Sequence, residues 1–166
     1  MRTPLAAAGL AVLACAPALA QQDEIGLPLG STPAAVQVQT LDGQSADLSQ
    51  FVGRRPVIIQ FWAHWCSLCE ALKQDMIAAQ RRYGREVEFI LIGVAVNQSR
   101  ERMRRHFERE PMPFRLYYDA TGAAVRAYEA PGTSYVVALD ASGRVRYTGI
   151  GDEQDVDLAA RRALGR

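Results

Sequence analysis

The junction that most narrows what this chain can fold into begins at Pro56-Val57-Ile58-Ile59-Gln60-Phe61, an apolar run broken only by Gln60. It leads through Trp62-Ala63-His64-Trp65 into Cys66-Ser67-Leu68-Cys69. A run this short and apolar suits a strand buried on both faces. Beyond it, Cys69, Leu72, Met76, Ala79 and Tyr83 recur at three- and four-residue steps, which is one face of an amphipathic helix, and Gly84 stops it. The pattern predicts strand, turn and helix, with Cys66 at the helix start and Cys69 one turn inside.

That placement carries chemistry. The unpaired N–H groups and the positive dipole end of a helix N-terminus favour an anion, so Cys66 is expected to ionise more easily than a free thiol and to act as nucleophile. Cys69 lies one turn on along the same face, placed to attack a mixed disulfide at Cys66 and close a Cys66–Cys69 bond. Cys-x-x-Cys at a strand-to-helix junction is a strong redox signal.

Phe61-Trp62-Ala63-His64-Trp65-Cys66-Ser67-Leu68-Cys69 resembles the thioredoxin-fold signature Phe-Trp-Ala-x-Trp-Cys-x-x-Cys. Leu41-Asp42-Gly43-Gln44 and Asp47-Leu48-Ser49-Gln50-Phe51-Val52-Gly53 resemble the lead-in of its TlpA/ResA-like branch, the exported thiol–disulfide oxidoreductases. The similarity runs from about Gly30 to the C-terminus. It implies an α/β fold: a thioredoxin-like central mixed β-sheet flanked by helices, with an N-terminal β-hairpin and a helix-and-strand insertion between the two halves.

Met1-Arg2, the apolar Leu5–Ala14 and Ala18-Leu19-Ala20 form a signal-peptide pattern with cleavage before Gln21. The apolar stretch is too short to span a bilayer, which argues against a retained anchor. Val12-Leu13-Ala14-Cys15 is a second possibility, a loose lipobox with Cys15 lipidated, although Leu13 fits it poorly. The expected organisation is a signal peptide over 1–20, an irregular lead over 21–32 and one thioredoxin-like domain over 33–166. Cleavage after Ala20 leaves Cys66 and Cys69 as the only cysteines, in a periplasmic or otherwise exported compartment where disulfides persist. With 166 residues and a formal charge of +1, acidic and basic residues interspersed, the chain shows neither a nucleic-acid face nor a membrane-binding surface, and a monomer is expected. Lys73 is its only lysine.

Elsewhere, Ala35–Thr40 alternates like a half-buried strand, Asp42-Gly43 signals a hairpin, and Ser45–Leu48 returns beside it. Glu86–Val96 reads as a second central strand, parallel to the first. Asn97 and Ser99 are candidate N-caps for an arginine-rich helix over Arg100–Glu110, with Met103 and Phe107 inward and His106 on its surface. Strands follow at 114–118, 134–139 and 144–150 and helices at 123–129 and 153–164, the last turning Val156, Leu158, Ala159 and Leu164 inward.

Two positions depart from the family pattern. Where thioredoxin-fold proteins place a cis-proline facing the cysteines, this chain aligns Ser134, preceded by Thr133, with Pro131 three residues early. Either the loop shifts register so that Pro131 serves, or the cis bond is lost, since a non-proline cis peptide costs about 2.5–4 kcal/mol. Gln60 occupies the slot of a buried acid in thioredoxins proper; an amide is no base, which leaves water, Glu70 or Glu88 to move the Cys69 proton.

The leading expectation is therefore an exported protein-disulfide reductase with Cys66 and Cys69 catalytic, needing no cofactor or metal. Trp65, Thr133 and Ser134 face the substrate, and Trp62 lies in the core. Its partners are a disulfide-bearing or dithiol protein and an upstream redox protein. One alternative is a copper(I)-binding metallochaperone using Cys66, Cys69 and His64. Another is a thiol peroxidase, weakened because Ala63 stands where the peroxiredoxin threonine would fall.

Overall fold

The computed structural model describes residues 25–166. The signal segment expected at 1–20, including Cys15, lies outside them. In chain order the elements are β1 (Gln37–Thr40), β2 (Ser45–Asp47), a 3-10 turn (Leu48–Gln50), β3 (Val57–Trp62), α1 (Ser67–Tyr83), β4 (Glu88–Val94) and α2 (Arg100–Arg109). There follow β5 (Arg115–Asp119), α3 (Ala123–Ala127), β6 (Val136–Leu139), β7 (Val145–Gly149) and α4 (Val156–Ala163). The strands form one mixed sheet in the order β2-β1-β5-β4-β3-β6-β7. β3, β4 and β5 run parallel, and β6 returns antiparallel along the other edge of β3. This is the thioredoxin-like arrangement that the resemblance implied, with α2 and β5 as the inserted helix and strand.

Every residue of β3 is buried, because it stands mid-sheet with helices over both faces. On one face Ile58 packs with Leu72 and Met76 of α1, Val136 of β6, and Val156, Ala159 and Ala160 of α4. On the other Val57, Ile59 and Phe61 join Met103 and Phe107 of α2, Tyr128 and Tyr135. Each such large side chain contributes roughly 1.5–3 kcal/mol by burial. Gly93 of β4 sits directly under α2: a Cβ there would collide with the Met103 sulfur, so strand and helix approach at a distance only glycine permits.

The hairpin turns through Leu41-Asp42-Gly43, with Gly43 at φ +89° and Thr40 N–H bonded to Gln44 O at 2.8 Å. This is the three-residue loop whose last position requires the left-handed region. Other boundaries shift. β4 covers only 88–94, leaving Val96 60% exposed, since the chain must leave the sheet to reach α2. Ser99, not Asn97, caps α2, accepting from Arg102 N at 3.2 Å. The inward stripe of α4 is Val156, Ala159, Ala160 and Ala163. Leu158, expected inward, is half-exposed: two residues after Val156, a helix has turned to its opposite flank.

Candidate active site

β3 ends at Trp62, and a tight turn follows in which Cys66 N–H donates to Ala63 O at 3.0 Å. That turn aims Cys66 at the mouth of α1, where it is the N-cap residue itself. Its backbone is extended (φ −85°, ψ 99°) and its Sγ accepts the N–H of Cys69 at 3.1 Å. A sulfur thus occupies the position that a serine or aspartate oxygen takes in ordinary caps. Cys66 and Cys69 are joined as a disulfide, their Cα atoms 5.2 Å apart. The two sulfurs are not equivalent: Cys66 is 8% exposed and Cys69 2%. Cys69 Sγ also lies 3.9 Å from Phe61 O, so a Cys69 thiol would have an acceptor within reach.

Ser134 stands two residues before β6, beside the end of β3 that leads into this turn. Its N–H donates to Phe61 O at 2.8 Å and Phe61 N–H donates to Tyr135 O at 2.9 Å, carrying the β3–β6 ladder up to the cysteines. All peptide bonds among the described residues are trans, and Ser134 adopts φ +63°, a left-handed conformation costly for a side-chain-bearing residue. Its hydroxyl accepts from Gly151 N–H at 3.0 Å and its carbonyl from Gln154 Nε2 at 2.8 Å. Of the two possibilities left by the sequence, the cis-proline is absent and the exposed Pro131 does not replace it. Ser134 is fully buried, so its hydroxyl turns inward and not toward a partner, while Thr133 is half-buried and Trp65 is 46% exposed.

Gln60 is 2% exposed, shares its strand face with Ile58 beneath α1, and has a buried Nε2 with no hydrogen-bond acceptor. The two carboxylates considered as proton carriers are engaged elsewhere. Glu88 pairs with Arg55 (3.2 Å) and Arg115 (2.7 Å) beside Val57, at the opposite end of β3 from the cysteines. Glu70 is bound by Lys73 at 2.9 Å, and Lys73 also holds Glu110 at 2.8 Å. The single lysine is therefore a clasp between α1 and the end of α2. Its bonds to Glu110 and then Glu70 hold the ammonium above the ordinary lysine range.

The residue that sequence reasoning missed is Gln98. It is 6% exposed, and its Oε1 meets His64 N at 2.8 Å and His64 Nδ1 at 3.2 Å. Its Nε2 donates to Val94 O at 3.0 Å and, at the limit of 3.5 Å, to Trp62 O, while its own carbonyl accepts from Tyr118 OH at 2.9 Å. Trp65 Nε1 adds a bond to Val96 O at 2.8 Å. The segment between β4 and α2 thus clamps the redox turn. No local pattern announces this, because Gln98 precedes a helix cap and the turn it braces lies more than thirty positions earlier in the chain. His106 also departs from expectation: it is half-buried, its ring 5.0 Å from Trp62 and its Nε2 without a partner, and burial pushes its pKa down. Trp62 itself is core, 3% exposed.

Among the described residues no three His, Cys, Asp or Glu side chains come together as a metal-holding group.

The Redoxin family model matches residues 28–162. The thioredoxin-like protein YneN of Bacillus subtilis is 24% identical over 144 residues, covering 81% of this chain and 82% of that one. A homolog of the thiol:disulfide interchange protein TxlA from Synechocystis is 31% identical over 71 residues. That match takes in 43% of this chain and only 39% of the relative's length. Among solved structures, a thiol:disulfide interchange protein of the thioredoxin family from Chlorobium tepidum superposes with a TM-score of 0.67 at 26% identity, covering 81% of this chain and 97% of that one. With its thioredoxin-like sheet and its Cys-x-x-Cys pair at the mouth of α1, the chain belongs to the Redoxin family and has thiol–disulfide oxidoreductases as its relatives.

Proposed function

We propose that this protein is an exported thiol–disulfide oxidoreductase that reduces disulfides in partner proteins. The observation that carries the reading is the asymmetry of the pair: an outer sulfur at the helix mouth capped by an N–H, and an inner sulfur sealed beneath it. In the dithiol state the Cys66 thiolate keeps the Cys69 N–H and the helix dipole as stabilisation, which lowers the cost of ionisation and of acting as a leaving group. It attacks one sulfur of a partner disulfide, forming a mixed disulfide and releasing the other partner sulfur as thiolate. Cys69, once deprotonated, attacks Cys66 Sγ. The internal disulfide closes, and the second partner sulfur leaves as a thiolate that takes up a proton. With Gln60 in place of an acid, the Cys69 proton passes to water or to the partner thiolate released in the first step. Trp65 and Thr133 flank the exchange, and an upstream dithiol protein restores the pair. Export rests on the signal-peptide pattern of residues 1–20, and the working unit is a monomer.

The test is reduction of a protein disulfide, such as insulin, by dithiothreitol with and without the protein. The parent accelerates it and Cys66→Ser abolishes the acceleration; equal rates for the two end the reading. Measuring the potential of the pair against glutathione buffers then fixes the direction, a value well below the glutathione range marking a reductase.

A further inference from the structure

The two sides of the Gln98 amide can be told apart by what surrounds them. One side meets Val94 O and Trp62 O, which only accept, and the other meets the His64 backbone N–H, which only donates. The amide therefore has one consistent orientation, with Nε2 toward the carbonyls and Oε1 toward His64. The same Oε1 lies 3.2 Å from His64 Nδ1. An oxygen that accepts can share that contact only with a protonated nitrogen. We infer that Gln98 is a positioning residue for the redox turn: it holds neutral His64 as its Nδ1–H tautomer and leaves Nε2 as the ring nitrogen with a free lone pair.

This inference deepens the oxidoreductase reading, because the imidazole stands two residues before Cys66 on the turn that Gln98 clamps. With Nδ1 occupied, the ring accepts only at Nε2. A partner's N–H, O–H or S–H group, or a proton released at the turn, therefore has one nitrogen to meet. Gln98 is 6% exposed and also anchored through its backbone by Tyr118, so the clamp belongs to the frame of the fold and is not a surface contact.

The tautomer is read directly from the ring nitrogen shifts of nitrogen-15-labelled protein, recorded at about pH 9 where histidine is neutral. The chain has two histidines, so His106→Gln assigns the spectrum. The expected result is an Nδ1–H majority at His64, since one hydrogen bond to a buried acceptor shifts the tautomer ratio by up to about tenfold. Gln98→Met, similar in shape but without an acceptor, removes that excess and slows exchange with a protein disulfide several-fold. An Nε2–H majority in the parent overturns the inference even if no variant folds, and so does a Gln98→Met protein with the parent's tautomer. A parent that shows the Nδ1–H ring but does not accelerate disulfide reduction retains the inference about the turn and removes only the proposed activity.

Discussion

Replacing Ser134 by the proline that other thioredoxin-fold proteins carry at this point should harm this protein. Proline requires φ near −65°, whereas Ser134 sits at +63°, and proline has no N–H to give Phe61 O, which accepts one at 2.8 Å. The lost bond costs about 1 kcal/mol. The forced change of backbone in a fully buried stretch costs about 3 kcal/mol more. Two comparators separate the causes. Ser134→Gly gives up the bond to Gly151 N–H, about 1 kcal/mol, but relieves the left-handed conformation by about the same amount, so it stays within about 1 kcal/mol of the parent. Ser134→Ala keeps the strain and strands the Gly151 N–H, costing about 1–3 kcal/mol. Urea and thermal unfolding of the oxidised protein should rank the variants Gly, Ala, Pro in falling stability. For a domain of this size the proline variant should melt roughly 10 °C below the parent. A proline variant as stable as Ser134→Ala would show that the geometry drawn for this loop is wrong.

Three further outcomes follow from particular contacts. Burial of His106 against Trp62 pushes its pKa down, so the unfolded chain binds the proton more readily and the parent loses stability as pH falls below about 6.5. His106→Phe, which also removes an orphaned nitrogen, should match or exceed the parent by about 1 kcal/mol at pH 7 and by more near pH 5 in denaturant titrations. Burial of Asp140 would raise its pKa, but bonds from Ser142, Arg144 and Arg146 outweigh that and hold it at about 2. The carboxylate's stabilisation is thus complete above about pH 4, and Asp140→Asn should cost at most about 2 kcal/mol there, a deficit that fades as pH falls toward 2. Gly93→Ala should cost about 1–3 kcal/mol by driving a methyl into Met103, and the double change with Met103→Ala should cost less than the sum of the two in unfolding experiments.

What the sequence made legible is what short-range patterning encodes. β3 and α1 follow from an apolar run and a three-four repeat, and the hairpin from Asp42-Gly43, so the pattern alone puts the cysteines at the helix mouth. The resemblance implied a mixed central sheet but not its order, and nothing within β5 says that it slots between β1 and β4. The residues that brace the site were hidden for a different reason. Gln98 acts on His64 and Trp62, more than thirty positions away, and His106 is buried by a ring from another element. Ser134 showed as a missing proline, but its positive φ and inward hydroxyl depend on Phe61 and Gly151, which only the folded chain brings beside it.

Trp65 surrenders its one polar handle to Val96, and this shapes what the surface beside the disulfide can say to another molecule. What remains outward is bare indole, with Val96 at 60% and Leu68 at 43% exposed as further greasy ground. On the function proposed above, an apolar surface of this kind would grip a partner by area and discriminate little among polypeptides. On that proposal, choosiness would come from main-chain shape, from the one open ring nitrogen of His64 and from the electron hunger of the sulfurs, with the tryptophan as a general adhesive.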